Sequence, residues 1–544
     1  MLVAFWIGLA FNKFFTKQLG VNNSFFHPTI LVLIGWFVLG VFLQIFHLFH
    51  AIDEIAHIIV WSFIVVSLLI YKKSIIKDAI ASLHQITTLQ HIVVGIGLLI
   101  IVLINIVQRK AYGDIADYHL QAIRWAEEYA LVPGVGNIRR QLGNNSSWFL
   151  LNAFSGFHFL GLRSVYTINA GLVIMVGLFV TPHLKQHFWL RNVVLLGYFA
   201  IVATRKYTGA VTNDLIITSS IVLLFSWFTD NMDESVKVKP AFIWMIILSV
   251  SLVTYKLSAL PMVLFGAGVL YYLIRNKFIT LRNILVSSAV LTLVFIPWLI
   301  TNVIQTGYLL FPATATNWFN VDWQMRPEIL KFEVDANLAY ARAPKVDTET
   351  AYNFTFSQWL PHWVDSLDGF SIFLIAGCLF FLLALFVIVL INKSFQKSFL
   401  SKYYLVLVLT IIVALVLWFT HGPAPRFVFG YFIFTIAMGV AVVNSSFLHN
   451  LLHNRLRLYS IFIVYLIMGF SIFNWISTTP ISTLYQPLPY YEPKLTRFEV
   501  SGGSLWVPAN NDPCWDAELP CTNQPDSLIQ FRGTSLQDGF RIKK

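Results

Sequence analysis

The chain reads as an all-α polytopic membrane protein, and three observations carry that reading. Of its 544 residues, 57% are hydrophobic and only 12% charged, against about 25% charged in a soluble domain. Mean hydropathy is +0.71. Apolar runs of about 17–25 residues, enough to span a bilayer, recur along the chain. Backbone inside lipid must satisfy its own hydrogen bonds, so each run is expected to be a helix. The 48 Phe and 17 Trp suit lipid-facing helices with interfacial aromatic belts. The net charge of +11 is spread over loops. No basic run is interleaved with the aromatics that a nucleic-acid surface needs, so no nucleic acid is expected as a partner. The opening run Leu2–Phe11 lacks the basic start and small-residue cleavage site of a signal peptide.

Spans are expected at 28–46, 53–70, 90–108, 165–181, 187–204, 209–228, 241–255, 258–274, 282–300, 371–391, 403–420, 427–446 and 458–476. Residues 1–11 make a partial span, and 241–274 reads either as two helices or as one kinked helix with a re-entrant piece. Alternate loops hold the lysines and arginines: Lys13 and Lys17; Lys72, Lys73 and Lys77; Lys185 and Arg191; Lys237 and Lys239; Arg275, Lys277 and Arg282; Lys393, Lys397 and Lys402; Arg455 and Arg457. By the positive-inside rule that set is cytoplasmic. The opposite side carries long segments at 109–164, 301–370 and 477–544.

Short outer loops should be poor in Lys and Arg, yet they contain Arg205, Lys206, Lys256 and Arg426. A cation at a helix mouth on the wrong side is a candidate ligand for an anion such as a lipid phosphate; snorkelling to headgroups is the plainer alternative. In His421-Gly-Pro-Ala-Pro-Arg426 two prolines stiffen the turn that carries the arginine and make His421 and Arg426 candidate phosphate contacts.

The most telling stretch is Tyr112-Gly-Asp114-Ile-Ala-Asp117-Tyr118-His119, just outside a span. Carboxylates at a membrane boundary are costly unless solvated or paired. A helix-like run continues to Tyr129, with Leu120, Ile123 and Ala126 on one face and Arg124, Glu127 and Glu128 elsewhere. This pattern suits an interfacial helix on the outer leaflet. Arg139, Arg140 and the polar patch Asn144-Asn-Ser-Ser-Trp148 follow. Glycosyl transfer to a hydroxyl needs a carboxylate to take the acceptor proton and cations or a metal to stabilise the departing phosphate. Asp114 and Asp117 divide those duties or hold a divalent cation; alternatively Asp117 caps the following helix. No cofactor is firmly implied.

Here the chain resembles a family. Asp114-Ile-Ala-Asp-Tyr118 is similar to the aspartate-x-x-x-tyrosine arrangement in the first extracytoplasmic loop of GT-C-fold glycosyltransferases, among them aminoarabinose and mannosyl transferases that use polyprenyl-phosphate sugars. The stretch from Tyr118 to Trp148, with Gly307-Tyr-Leu-Leu-Phe-Pro312, Pro423-Ala-Pro-Arg426-Phe and the Cys514/Cys521 tail, resembles a group of bacterial membrane proteins assigned to that superfamily. The resemblance runs from about residue 90 to the end. It implies a GT-C-like bundle of about 13 transmembrane helices. It also implies Asp114 as catalytic base with Asp117 secondary, and Thr254-Tyr-Lys256 as the donor-phosphate lysine, although the family's usual following glycine is Leu257 here.

The expected organisation is therefore additional helices at 1–89, a catalytic core at 90–476 and an extracytoplasmic C-terminal cap at 477–544. The cap is rich in Pro, Gly, Asn and Asp and carries β-like pieces at Ser504–Val507 and Leu528–Phe531. Cys514 and Cys521 lie in it, where an oxidising compartment favours a disulfide; Cys378 lies mid-helix as packing. The expected activity moves a sugar from a polyprenyl-phosphate donor to a glycan, lipid or protein hydroxyl. It takes place on the outer face of a bacterial inner membrane, among membrane lipids. Tyr118, His119, Arg139, Arg140, Arg205, Lys206, Lys256, His421 and Arg426 are the expected substrate contacts. The alternatives are a lipid-linked sugar flippase or transporter, and a polysaccharide polymerase or ligase.

Other features compete. His47, His50, His57, Asp53 and Glu54 share a helix end at spacings that allow a metal, or simply make an interfacial polar patch. Asp214, after Asn213, opens a helix and complements its dipole, or joins a site beside Lys206. Trp318–Trp323 and Trp359–Trp363 stack on sugars or anchor loops.

Overall fold

The computed structural model describes the chain except residues 21–25, 108–112, 162–165, 182–187, 205, 233–239, 392, 394–403, 448–454, 479–481, 483–490 and 544, and describes the backbone alone at 104, 206–207, 444–447, 455–461, 474–475 and 478. It is an all-α membrane architecture with a small β-containing tail. Helices α1 (Leu2–Gln18) and α2 (Pro28–His47) cross closely because Gly8 and Gly35 present no side chain there. A Cβ on Gly8 would sit 1.9 Å from the Leu31 carbonyl oxygen, and one on Gly35 would sit 1.7 Å from that of Ala4. Small residues at such crossings let helices pack where lipid supplies no hydrophobic drive.

The chain continues through α3 (Glu54–Leu83), α4 (Leu89–Val107), α5 (Leu120–Glu128) and α6 (Ser147–Gly156). Next come α7 (Ile168–Phe179), α8 (Trp189–Ala203), α9 (Asp214–Asn231), α10 (Pro240–Ser251), α11 (Pro261–Arg275) and α12 (Leu281–Thr306). Three shorter helices, α13 (Pro327–Arg342), α14 (Thr348–Tyr352) and α15 (Phe356–Ser366), precede α16 (Gly369–Ile391), α17 (Tyr404–His421), α18 (Phe429–Phe447) and α19 (Arg455–Thr478).

Among the described residues, seven helices are long and apolar enough to cross a membrane: α2, α3, α4, α11, α12, α16 and α17. A helix lies at every expected span, but over the described residues the others are shorter or more polar. The reasons are local. Helix α9 carries Asp214 and Asp230 near its ends, and α10 stops at Ser251, where the chain breaks before α11. The break settles the reading of 241–274 as two helices. Helix α3 kinks at Lys72, just where the expected span ends.

One core joins α1, α2, α4 and α6–α11 with parts of α16–α18, and fully buried Trp148 and Trp244 sit in it. Trp244 Nε1 donates to Asn12 Oδ1 at 2.9 Å, which ties α10 to α1. Helices of the first 89 residues thus share the core of those that follow.

The amphipathic run after Asp117 does not lie on a lipid surface. Leu120, Ile123 and Ala126 of α5 face the main core, while Trp125 packs with Val132, Leu505 and Phe540 on its other side. The second cover comes from the tail. There β1 (Leu495–Val500) pairs antiparallel with β2 (Gly503–Pro508), and β3 (Ile529–Phe531) with β4 (Phe540–Ile542). A Cys514–Cys521 disulfide closes the loop between the hairpins.

Candidate functional site

Gly113 turns the chain at φ +48, a conformation open to glycine, and delivers Asp114 to the start of a π-helical turn, Ile115–His119. The tail steadies that turn. The Trp515 N–H donates to the Ala116 carbonyl at 2.9 Å, and Gln121 Nε2 donates to the carbonyl of Ala517 at 2.9 Å.

Arg426 arrives from the Pro423-Ala-Pro turn between α17 and α18. Two tryptophans pin it: Trp363 Nε1 donates to the Pro423 carbonyl at 2.7 Å and Trp418 Nε1 to that of Ala424 at 2.9 Å. Trp359 and Trp363 are therefore buried anchors of the scaffold, and Trp363 also reaches the cavity described below.

Lys256 sits in extended conformation between two 3-10 turns, in the break separating α10 from α11. Broken helix leaves carbonyls without partners, and the Asn144–Trp148 patch supplies them. Ser146 Oγ donates to the Tyr255 carbonyl at 2.7 Å and Ser147 Oγ to the Thr254 carbonyl at 3.3 Å, while Asn145 Nδ2 ties the patch to α12 through the Trp298 carbonyl at 2.9 Å. Asn213 Nδ2 also donates to the Tyr255 carbonyl, at 3.2 Å.

These elements bring four charges together. Arg426 Nη2 donates to Asp114 Oδ2 at 2.9 Å, and its Nε lies 3.7 Å from Asp214 Oδ2. Lys256 Nζ donates to the other oxygen of Asp214. Both cations lie over the Phe427 ring, at 4.5 Å for Lys256 and 5.3 Å for Arg426. Burial alone would lower the pKa of Arg426, but the carboxylates of Asp214 and Asp114 outweigh it and raise it.

Asp114, Asp214, Arg426 and His119 line a cavity of about 460 Å³, with Tyr198, Trp363, Phe370 and Phe429 on its apolar side. Asp114 is more open than Asp214, with 42% of its side chain exposed against 15%; Asp368, also in the lining, accepts from the Ser371 N–H at 2.9 Å at the start of α16. Buried His119 packs against Tyr118 and Phe149. Burial lowers its pKa to about 4, so the imidazole is neutral near pH 7.

A second cluster sits behind the first. Asp117 does not cap α5; its carboxylate lies 3.2 Å from Arg139 Nη2. Burial raises the pKa of Asp117 against the pull of Arg139. Arg140 Nε donates to Glu333 Oε2 at 2.7 Å and Nη1 to Gln524 Oε1 at 2.6 Å. None of these residues lines the cavity, nor does His421, whose Nδ1 pairs with Thr420 Oγ1 at 2.7 Å.

Among the expected site residues, the structure therefore gathers Asp114, His119, Lys256 and Arg426, and holds Asp117, Tyr118, Arg139 and Arg140 in the wall behind them. Tyr112 and Arg205 lie outside the described residues, as does the side chain of Lys206. Asp214 is the member that its place at a helix start disguised. The signal for it was its place shortly after Arg205 and Lys206, in an outer loop that already held unexplained cations.

The His47 group does not converge: His57 stacks on Phe154 at 3.9 Å, while His50 lies 3.4 Å from Asp53. Among the described residues no three His, Cys, Asp or Glu side chains gather as metal ligands do. Asp114 and Asp117 each face an arginine.

No curated protein and no solved structure matches the chain. Residues 1–433 match one family model, described as a domain of unknown function (DUF8201). That match spans most of the chain, from the first helices through the Arg426 turn, and the protein belongs to the DUF8201 family.

Proposed function

We propose that the protein is a membrane glycosyltransferase with a GT-C-like fold, in which about 13 transmembrane helices carry an outward-facing site beneath an extracytoplasmic C-terminal cap in a bacterial inner membrane. One observation carries this reading: a carboxylate open to a ligand-sized cavity is paired with a cation that a rigid proline turn fixes there, and a second cation stands behind. The cavity falls within the range of about 300–1,000 Å³ typical of small-ligand sites. It joins an ionic wall to an aromatic one, which suits a sugar phosphate on an apolar chain.

In this reading a polyprenyl-phosphate sugar seats its phosphate by Arg426 and Lys256 and its chain along the aromatic side. Asp114 accepts the proton of an acceptor hydroxyl. The acceptor oxygen bonds to the anomeric carbon, the bond from that carbon to the phosphate oxygen breaks, and its electron pair leaves with polyprenyl phosphate. The single displacement inverts the anomeric centre. Arg426 stabilises the charge that develops on the leaving oxygen. Asp117 and Arg139 hold the turn that carries Asp114.

The test is Asp114→Asn in purified full-length protein, assayed with a polyprenyl-phosphate sugar and an acceptor. Transfer is expected to fall by a factor of about 10²–10⁴, with donor binding and thermal stability retained. Turnover at the wild-type rate would overturn the assignment.

A further inference from the structure

Two acids of the cavity wall take no part in this mechanism: Asp368, which accepts from the Ser371 N–H at the start of α16, and Asp214, which engages both cations. One Asp214 oxygen accepts from Lys256 Nζ and the other lies 3.7 Å from Arg426 Nε. Lys256 is not part of the cavity lining; it meets the cavity through Asp214. Two enclosed cations without a counterion are strongly unfavourable. With Asp114 and Asp214 ionised, the cluster of two acids and two bases is neutral.

A phosphate brought to the same cations changes during the reaction. In the donor it is a diester with one negative charge. In the product it is a monoester, which carries about −1.5 to −2 at neutral pH, as phosphoserine does. The two cations therefore favour product over donor unless a fixed negative charge opposes them.

We infer that Asp214 is a placeholder for the phosphate: a resident carboxylate that occupies Lys256 and Arg426 in the empty site and drives the more anionic polyprenyl phosphate off them after transfer. The inference rests on the glycosyl-transfer reading for the identity of the anion. It makes Asp214 a positioning and release residue rather than a catalytic one.

The test is equilibrium binding of polyprenyl phosphate and of the intact donor to full-length protein in detergent. Asp214→Asn is expected to tighten polyprenyl phosphate binding about tenfold and donor binding by clearly less. Steady turnover should slow while the first turnover keeps its rate. A merely structural role predicts the opposite, a loss of affinity for both lipids. Weaker or unchanged product binding in a folded Asp214→Asn protein overturns the inference.

Asp214→Glu keeps the charge and moves it toward the cavity. It is expected to weaken product binding about threefold, and tighter or unchanged binding would count against the inference even if the Asn variant does not fold. The underlying reading fails separately. It falls if the wild type does not bind polyprenyl phosphate, if Lys256→Met binds it as well as wild type, or if inorganic phosphate competes as strongly as the lipid.

Discussion

Two clusters of acids and bases share the short turn from Asp114 to Asp117, and they differ in what surrounds them. Asp114, Asp214, Lys256 and Arg426 converge from four separate parts of the chain onto a cavity wall. Asp117, Arg139, Arg140 and Glu333 have nearly the same composition but close on themselves beneath the tail, with Gln524 completing the set. The carboxylates Asp114 and Asp117 are exposed to similar extents, 42% and 34%, but Asp114 and Arg426 line the cavity, whereas Asp117 lies against Arg139, 2% exposed, and neither lines it. Charge alone does not make a site. A charge does chemistry where a cavity gives a ligand room to compete for it, and it holds structure where its partners leave none.

Variants of each cluster test this contrast. The largest effect is expected from Arg426→Met, which removes the cation that touches both Asp114 and Asp214. Turnover should fall about 10²–10³-fold, the loss typical of deleting one charge-stabilising donor. Steady-state kinetics on the purified protein check this, and a loss under tenfold would place Arg426 outside the reaction.

Asp117→Asn is expected to do the reverse. It strands buried Arg139 and should cost about 3 kcal/mol of stability, read as a lower midpoint of thermal unfolding. Activity per folded molecule should stay near wild type. A fall in turnover without loss of stability would move Asp117 into the active cluster.

The smallest effect concerns pH. His119 is neutral in the fold, with its pKa lowered by burial to about 4 from 6.5. In that window the unfolded chain binds a proton that the folded chain does not, so this stability is present above pH 6.5 and is lost as the pH falls toward 4. Denaturation midpoints measured across that range should slope less steeply in His119→Gln than in wild type, by at most about 3 kcal/mol in total. Parallel slopes would refute the assignment.

Much of the candidate site was legible in the chain. Asp114 stood out as a carboxylate at a membrane boundary, and Lys256 and Arg426 as cations in loops that should lack them. Asp214 was harder, because an acid opening a helix has an ordinary explanation in the helix dipole. Only the approach of the α10–α11 break shows that it also neutralises Lys256. Arg139 and Arg140 stood out only as a basic pair in a long outer loop, and their partners are remote in sequence: Glu333 lies 193 positions from Arg140, and Gln524 384. The amphipathic pattern of α5 fits a lipid surface as well as a protein one. It was the tail, through Trp125, Leu505 and Phe540, that decided between them.

The class of protein, the helices at the apolar runs and the stiff Pro423-Ala-Pro turn were legible in the chain; the break after Ser251 was one of two readings until the fold showed it. The legible features follow from apolar length and from the local chemistry of proline. Which charges face a cavity and which face one another was fixed in three dimensions. That choice depends on contacts between distant segments, and no local pattern encodes the space left between them.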